Sequence, residues 1–447
     1  MTFPRFPHPL VLLVGFIILA AALTHILPAG AFDRRDDPVA GRSVVVAGTY
    51  HPVDPAPVSA FDAVVAVPRG MADAASVIFL VFLVGGAFAV VERTGALGHV
   101  VRRLVKALAD REVLVVPACC LLFGLGGVLI QMQEELIAFV PVLLLLTRTL
   151  GFDRTTAVAM SIGAAVVGAA FSPIDPFMAG IAQKVAGLPL LSGQGFRYAF
   201  LVPALGLWTA GTMRHALRTR SAAGAAEAAA ELETGRRPAV VLLVVGAAFV
   251  LFVTGVMRWG WDFDQMSAVF FVMGVLAGLI AGLGVEGTAE AFVDGFRSMA
   301  YAALIIGFAR AIFVVLQDGQ IIDTVVNGLF TPLADLPVTL SALGMMAAHG
   351  LLHLPVPSTS GQAVLTMPLL VPLSDLLGLS RQVTVLTYQY GAGLADVINP
   401  TNGALLAMLG AAGVRYEQWF RFAAPLLAAL VLLGGIAVVV AIAIGLR

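Results

Sequence analysis

The chain has 447 residues, 60% of them hydrophobic and 12% charged, with a net charge of −1 and a mean hydropathy of +0.97. Soluble globular proteins are closer to half apolar and a quarter charged, so a water-soluble fold is excluded, and the absence of a basic excess excludes a nucleic-acid binder. Cys119 and Cys120 are adjacent within an apolar run and read as small buried hydrophobes, not as a disulfide or metal site.

Crossing the roughly 30 Å hydrocarbon layer takes about 20 apolar residues as a helix. Residues 9–28 are the first such run, longer than a signal-peptide core and so a retained span with the N-terminus cytoplasmic. Further crossings are predicted at 74–92, 155–187, 197–213, 238–256, 264–284, 297–316, 383–411 and 421–445. Residues 113–150 and 337–376 differ. Each is an apolar stretch interrupted near its middle, by Gln131-Met132-Gln133-Glu134-Glu135 and by Pro357-Ser358-Thr359-Ser360-Gly361-Gln362. Such segments fit helical hairpins that enter and leave by one face, with the turn shielded by protein or a cavity.

Charge supports that topology. It places 93–112, 214–237 and 285–296 in the cytoplasm, the first two with Arg93, Arg102, Arg103, Lys106, Arg111, Arg214, Arg218, Arg220, Arg236 and Arg237. The external segment 317–336 carries Asp318, Asp323 and Asp335 and no Lys or Arg, in keeping with the positive-inside bias. A displacement of 227 residues aligns Pro141 with Pro368, Gly151 with Gly378, Arg154 with Arg381, and Ser172-Pro173 with Asn399-Pro400. An odd number of crossings separates the halves, so the second is inverted, the architecture of alternating-access carriers. The expectation is an all-α polytopic membrane protein of two inverted repeats, with about nine transmembrane helices, two re-entrant hairpins and two broken helices. The first repeat is 1–213, a linker with one span is 214–263, and the second repeat is 264–447.

Two more breaks, at Phe171-Ser172-Pro173-Ile174-Asp175-Pro176 and Val397-Ile398-Asn399-Pro400-Thr401-Asn402-Gly403, lie inside long spans. Pro173, Pro176 and Pro400 remove backbone donors and disfavour helix before them. One such break alone is an ordinary kink. Two breaks and two hairpin tips instead give four half-helix N-termini near mid-membrane, suited to carboxylates, and free carbonyls suited to Na⁺. Candidate substrate ligands are Gln133, Glu134, Glu135, Ser172, Asp175, Ser358, Ser360, Gly361, Gln362, Asn399, Thr401 and Asn402. Asp396, Arg310 and Lys184 are intramembrane charges, either coupling groups or structural ion pairs. His349 and His353 read as hydrogen-bonded core residues.

The stretches QEELIAF, SPIDPFMAGIAQKVAGLPLLSGQGFR, PVPSTSGQAVLTMPLLVPLSDLLG and YQYGAGLADVINPTNG resemble the anaerobic C4-dicarboxylate carrier family, and within it the YfcC-like branch of amino-acid carriers. The resemblance covers nearly the whole chain. It implies a scaffold plus two transport units in the bacterial inner membrane, often dimeric, with substrate between hairpin tips and broken helices. Where relatives in the wider ion transporter superfamily carry Ser-Asn-Thr at both tips, this chain has Gln133-Glu134-Glu135 and Thr359-Ser360-Gly361. The reading favoured is a symporter or exchanger of an amino-acid-like carboxylate solute, with no cofactor and Na⁺ or H⁺ as coupling ion. The alternative is a C4-dicarboxylate carrier in which Glu135 carries the coupling proton. A channel is a rival from another class, as is an intramembrane serine protease using Ser358 or Ser360 near His353. The protease lacks a nucleophile elbow and an HExxH motif.

Overall fold

The computed structural model describes residues 8–37, 42–96, 112–221 and 238–446. The basic cluster Arg102, Arg103, Lys106 and Arg111, and Arg236 and Arg237 of the linker, lie outside the described residues.

The first apolar run becomes α1 (Pro9–Ile26). Residues 30–52 then form two antiparallel ladders, β1 (Gly30–Ala31) with β4 (His51–Pro52) and β2 (Arg34–Asp37) with β3 (Arg42–Val45). These ladders correct the all-α expectation outside the apolar runs, where a short valine-rich stretch suits a strand. Asp323 fastens this segment to the distant half of the chain, accepting from Phe32 N and Arg34 Nη2, both at 2.9 Å.

α2 (Ala60–Asp73), capped by Ser59, lies directly before α3 (Ala75–Arg93). Only the second was expected as a helix. Pro68, Arg69 and Asp73 mask the helical pattern of α2 in the sequence. The first interrupted segment folds as two arms, α4 (Val115–Ile130) and α5 (Val140–Thr149), joined through a 3-10 stretch at Glu134–Phe139. The next long run breaks where its prolines require. α6 (Arg154–Ala170) stops before Pro173, and a π turn over Pro176–Gly180 leads into α7 (Ile181–Val185). α8 (Gln194–Thr219), α9 (Pro238–Trp259) and α10 (Phe263–Ala281) follow.

α11 (Gly284–Asp318) runs unbroken for 35 residues. It absorbs 285–296, expected as a cytoplasmic stretch between spans, because Glu286-Gly287-Thr288-Ala289-Glu290-Ala291 continues a helix whose glutamates face outward. α11 packs along both α2 and α3, and Arg69–Asp318 and Arg310–Asp73 ion pairs tie it to α2. Within 317–336 lies α12 (Ile322–Phe330). The second interrupted segment gives α13 (Val338–Leu352) and α14 (Thr359–Leu376). The second broken span gives α15 (Arg381–Ala395) and α16 (Gly403–Ala412), and α17 (Tyr416–Ala443) closes the chain.

Element boundaries recur at the 227-residue displacement seen in the sequence. Asp153 caps α6 and Ser380 caps α15. α5 ends at Thr149 and α14 at Leu376, each followed by a glycine of positive φ, Gly151 or Gly378. The half-helix 176–185 matches 403–412 in both limits.

Side chains and backbone meet closely where α4 crosses α6. A Cβ on Gly127 would lie 1.9 Å from Ala165 O, and one on Gly168 would lie 2.2 Å from Gly124 O. Small residues are what let membrane helices approach this far. Gly127→Val should therefore lower stability by about 1–3 kcal/mol, the usual cost of overpacking. Gly206→Ala, with open space around its Cβ, should be neutral. Thermal unfolding midpoints of the two purified variants check the contrast.

Candidate functional site

α4 ends at Gln131, whose left-handed backbone (φ 53°) is strained for a residue with a side chain. Its Nε2 donates to Thr359 Oγ1 at 2.7 Å, so the tips of the two interrupted segments touch. Two residues on, Gln133 is buried and reaches the second broken span. Its Nε2 donates to Asp396 Oδ2 and its Oε1 accepts from Asn402 Nδ2, both at 3.3 Å. Glu135 Oε2 folds back to accept from Gln133 N at 3.1 Å, which fixes the tip.

Asp396 is the centre of this arrangement. It sits at the C-terminal end of α15, where the helix dipole disfavours a carboxylate, and it is 4% exposed. Donors compensate: Gln133 Nε2, Asn402 Nδ2 and the ring of His353, whose Nε2 is 2.8 Å from Asp396 Oδ1. The other ring nitrogen, Nδ1, lies 2.9 Å from Gln362 Oε1. Gln362 is oriented by its amide nitrogen, which donates to His349 O at 2.9 Å. Its oxygen must therefore face His353 as acceptor, and His353 Nδ1 must donate. His349 and His353 are fully buried and hydrogen-bonded, as the sequence reading expected.

Most of the remaining candidates fall in three places. Asn399 and Thr401 brace the second tip: Asn399 Nδ2 donates to His353 O at 2.9 Å, and Thr401 Oγ1 to Leu354 O at 2.6 Å. Ser172 and Asp175 belong to the other break. Ser172 Oγ donates to Val128 O at 2.7 Å, Gln389 Nε2 donates to Ser172 O at 2.6 Å, and Asp175 Oδ1 caps Phe177 N at 2.8 Å. Ser358, Ser360 and Gly361 line a cavity of about 810 Å³ together with Arg310 and Arg34. Gly361 takes no positive φ there, and a Cβ would first meet Ser358 Oγ at 3.0 Å. Glu134 is half-buried at the first tip and Lys184 is exposed on α7; neither lines that cavity.

Several carbonyls freed by the breaks accept from side chains. Besides Ser172, His353 and Leu354, these are Val397 (from Trp419 Nε1 at 2.8 Å) and Ile398 (from Tyr416 OH). Among the described residues, no group of three or more His, Cys, Asp or Glu is arranged to hold a metal ion. Sequence reasoning missed Asp73, the partner of Arg310, and Arg197, which is fully buried and donates to Gln389 Oε1 at 3.0 Å and Ser192 O at 2.8 Å. An arginine in an apolar helix demands partners, yet nothing local says which distant residues supply them.

The sequence model of the C4-dicarboxylate anaerobic carrier family matches residues 6–443. An Escherichia coli (strain K12) protein named "Putative basic amino acid antiporter YfcC" is 34% identical over 392 residues, 82% of this chain and 77% of that one. An uncharacterised Haemophilus influenzae protein is 28% identical over 497 aligned positions, covering 98% and 97%. The crystal structure of the Alcanivorax borkumensis YdaH transporter aligns over 98% of this chain and 99% of that one, with 17% identity and a TM-score of 0.46.

The donors around Asp396 make a sharp prediction. Asp396→Leu orphans His353, Asn402 and Gln133 at once, and each buried unpaired group costs about 1–3 kcal/mol. Its unfolding midpoint should fall well below that of Asp396→Asn, which keeps one acceptor oxygen. Equal midpoints would remove Asp396 from the centre of the network.

Proposed function

Since the chain belongs to the C4-dicarboxylate anaerobic carrier family, a family of membrane-embedded transporters and not of enzymes, we propose that it exchanges or co-transports an amino-acid-like solute with protons. The observation that carries this is the buried network joining Gln133 of one tip, His353 and Gln362 of the other, and Asp396 and Asn402 of the broken span. An alternating-access carrier needs its two gates and its coupling group in mutual contact, and here they share one carboxylate. The buried His353–Asp396 contact, a titratable imidazole against a carboxylate, supports H⁺ as the coupling ion. Glu134 and Glu135 beside the network suit a solute amino group, which accords with the basic amino acids named for the Escherichia coli relative.

The architecture we propose is two inverted repeats with re-entrant hairpins in the inner membrane, N-terminus inside. The recurrence of caps, glycines and half-helices at one displacement supports the repeat. The break at Gln131–Gln133, between α4 and the 3-10 stretch that leads into α5, supports a hairpin turn there. A C4-dicarboxylate is the second reading, favoured by the family's description and by two arginines on the cavity beside Ser358.

Counterflow in proteoliposomes with amino acids and C4-dicarboxylates distinguishes the two solutes. If Glu135 holds an amino group, Glu135→Gln should lose about 10- to 150-fold in amino-acid affinity, the worth of a charge-assisted bond. Dicarboxylate affinity should stay level or improve. Asp396→Asn should abolish proton-driven accumulation while exchange continues. Unchanged affinity and accumulation in both variants would remove these acids from the transport cycle.

Topology is tested by a single cysteine at Gln320 in a chain lacking Cys119 and Cys120. An impermeant maleimide should reach it from the periplasmic side. Labelling from the cytoplasm alone would overturn the inverted arrangement.

A further inference from the structure

The cavity of about 810 Å³ is walled by residues from four parts of the chain, one of them the start of α12 with Ile322 and Asp323. Gly30, Arg34 and Val53 come from the ladder segment, Arg310, Phe313 and Gln317 from α11, and Ser358, Ser360 and Gly361 from the start of α14. Its lining holds two arginines and one carboxylate, Asp323. Arg34 is committed to Asp323, whose side chain is 5% exposed and also holds Phe32 N. Arg310 is not committed in this way. Its partner Asp73 lies on α2, and the two side chains are 37% and 46% exposed, against 5% for the Asp323 that holds Arg34. The guanidinium carbon of Arg310 lies 4.6 Å from the centroid of Phe313. The ring therefore positions the cation whether or not Asp73 is engaged.

We propose that Arg310 is the carboxylate-binding group of this vestibule, and that Asp73 is an internal anion which a solute carboxylate displaces. The inference rests on the carrier reading above and supplies the end of the solute which that reading leaves unheld. A planar fork matches a carboxylate at two points, and the hydroxyls of Ser358 and Ser360 face the same space. A zwitterion would then meet Arg310 first, with its amino group toward the acids of the tips. A C4-dicarboxylate would use the same arginine for one of its two carboxylates.

The test is the sign of two substitutions in the full chain, read as half-saturation in counterflow with L-lysine or succinate, whichever the wild type exchanges. Arg310→Gln should raise it about tenfold or more, and Arg310→Lys less. Asp73→Asn should lower it, because the competing anion has gone. An ion pair with a merely structural role predicts impairment by both, and that result, or no change in either, overturns the proposal.

Should the wild type exchange neither probe, the solute reading fails while the vestibule is still open to test. In a chain lacking Cys119 and Cys120, Ser360→Cys is labelled by an impermeant thiosulfonate. L-lysine or succinate should slow labelling, lysinamide and succinamide should not, and Arg310→Gln should remove the protection. Absence of protection by either carboxylate overturns the assignment.

Discussion

A single carboxylate, Asp396, is shared among three parts of the chain that lie far apart in sequence. It is buried at the wrong end of a helix for its charge and survives there because three donors converge on it. Those donors come from the first tip, the second tip and the start of α16. Removing a donor leaves a buried charge short of compensation, and removing the acid leaves several donors orphaned. Such a centre is costly to open, so it ties the two tips and the second broken span to one another.

The breaks themselves were legible because their cause is local. A proline lacks its N–H and restricts its predecessor wherever it stands, so Pro173 and Pro400 announce their interruptions without tertiary information. The polar tips were legible for a related reason, since Gln133 and Gln362 make no sense on a lipid face. Partnership was not legible. Gln133 and Asp396 are 263 positions apart, and Asp73 and Arg310 are 237 apart; only packing brings them together. The ladders of residues 30–52 escaped notice because strands of two to four residues leave too short a pattern. α2 escaped because Pro68, Arg69 and Asp73 break an otherwise apolar run.

Some candidate ligands have structural occupations. Ser172, Asn399 and Thr401 spend their hydrogen bonds on backbone groups at breaks and tips, and Asp175 caps the half-helix that follows it. They shape the site from behind. Ser358 likewise caps α14, accepting from Gly361 N at 3.2 Å, and with Ser360 and Gly361 it also lines the cavity beside Arg310.

The unbroken α11 has a mechanical consequence. Its 35 residues make a rod roughly 50 Å long, against a hydrocarbon layer of about 30 Å. Such a rod must lean or emerge, and the ion pairs Arg69–Asp318 and Arg310–Asp73 bind its far end to α2. With no proline inside it, the rod leans or emerges as one piece, and α2 and α3 are packed along that one piece.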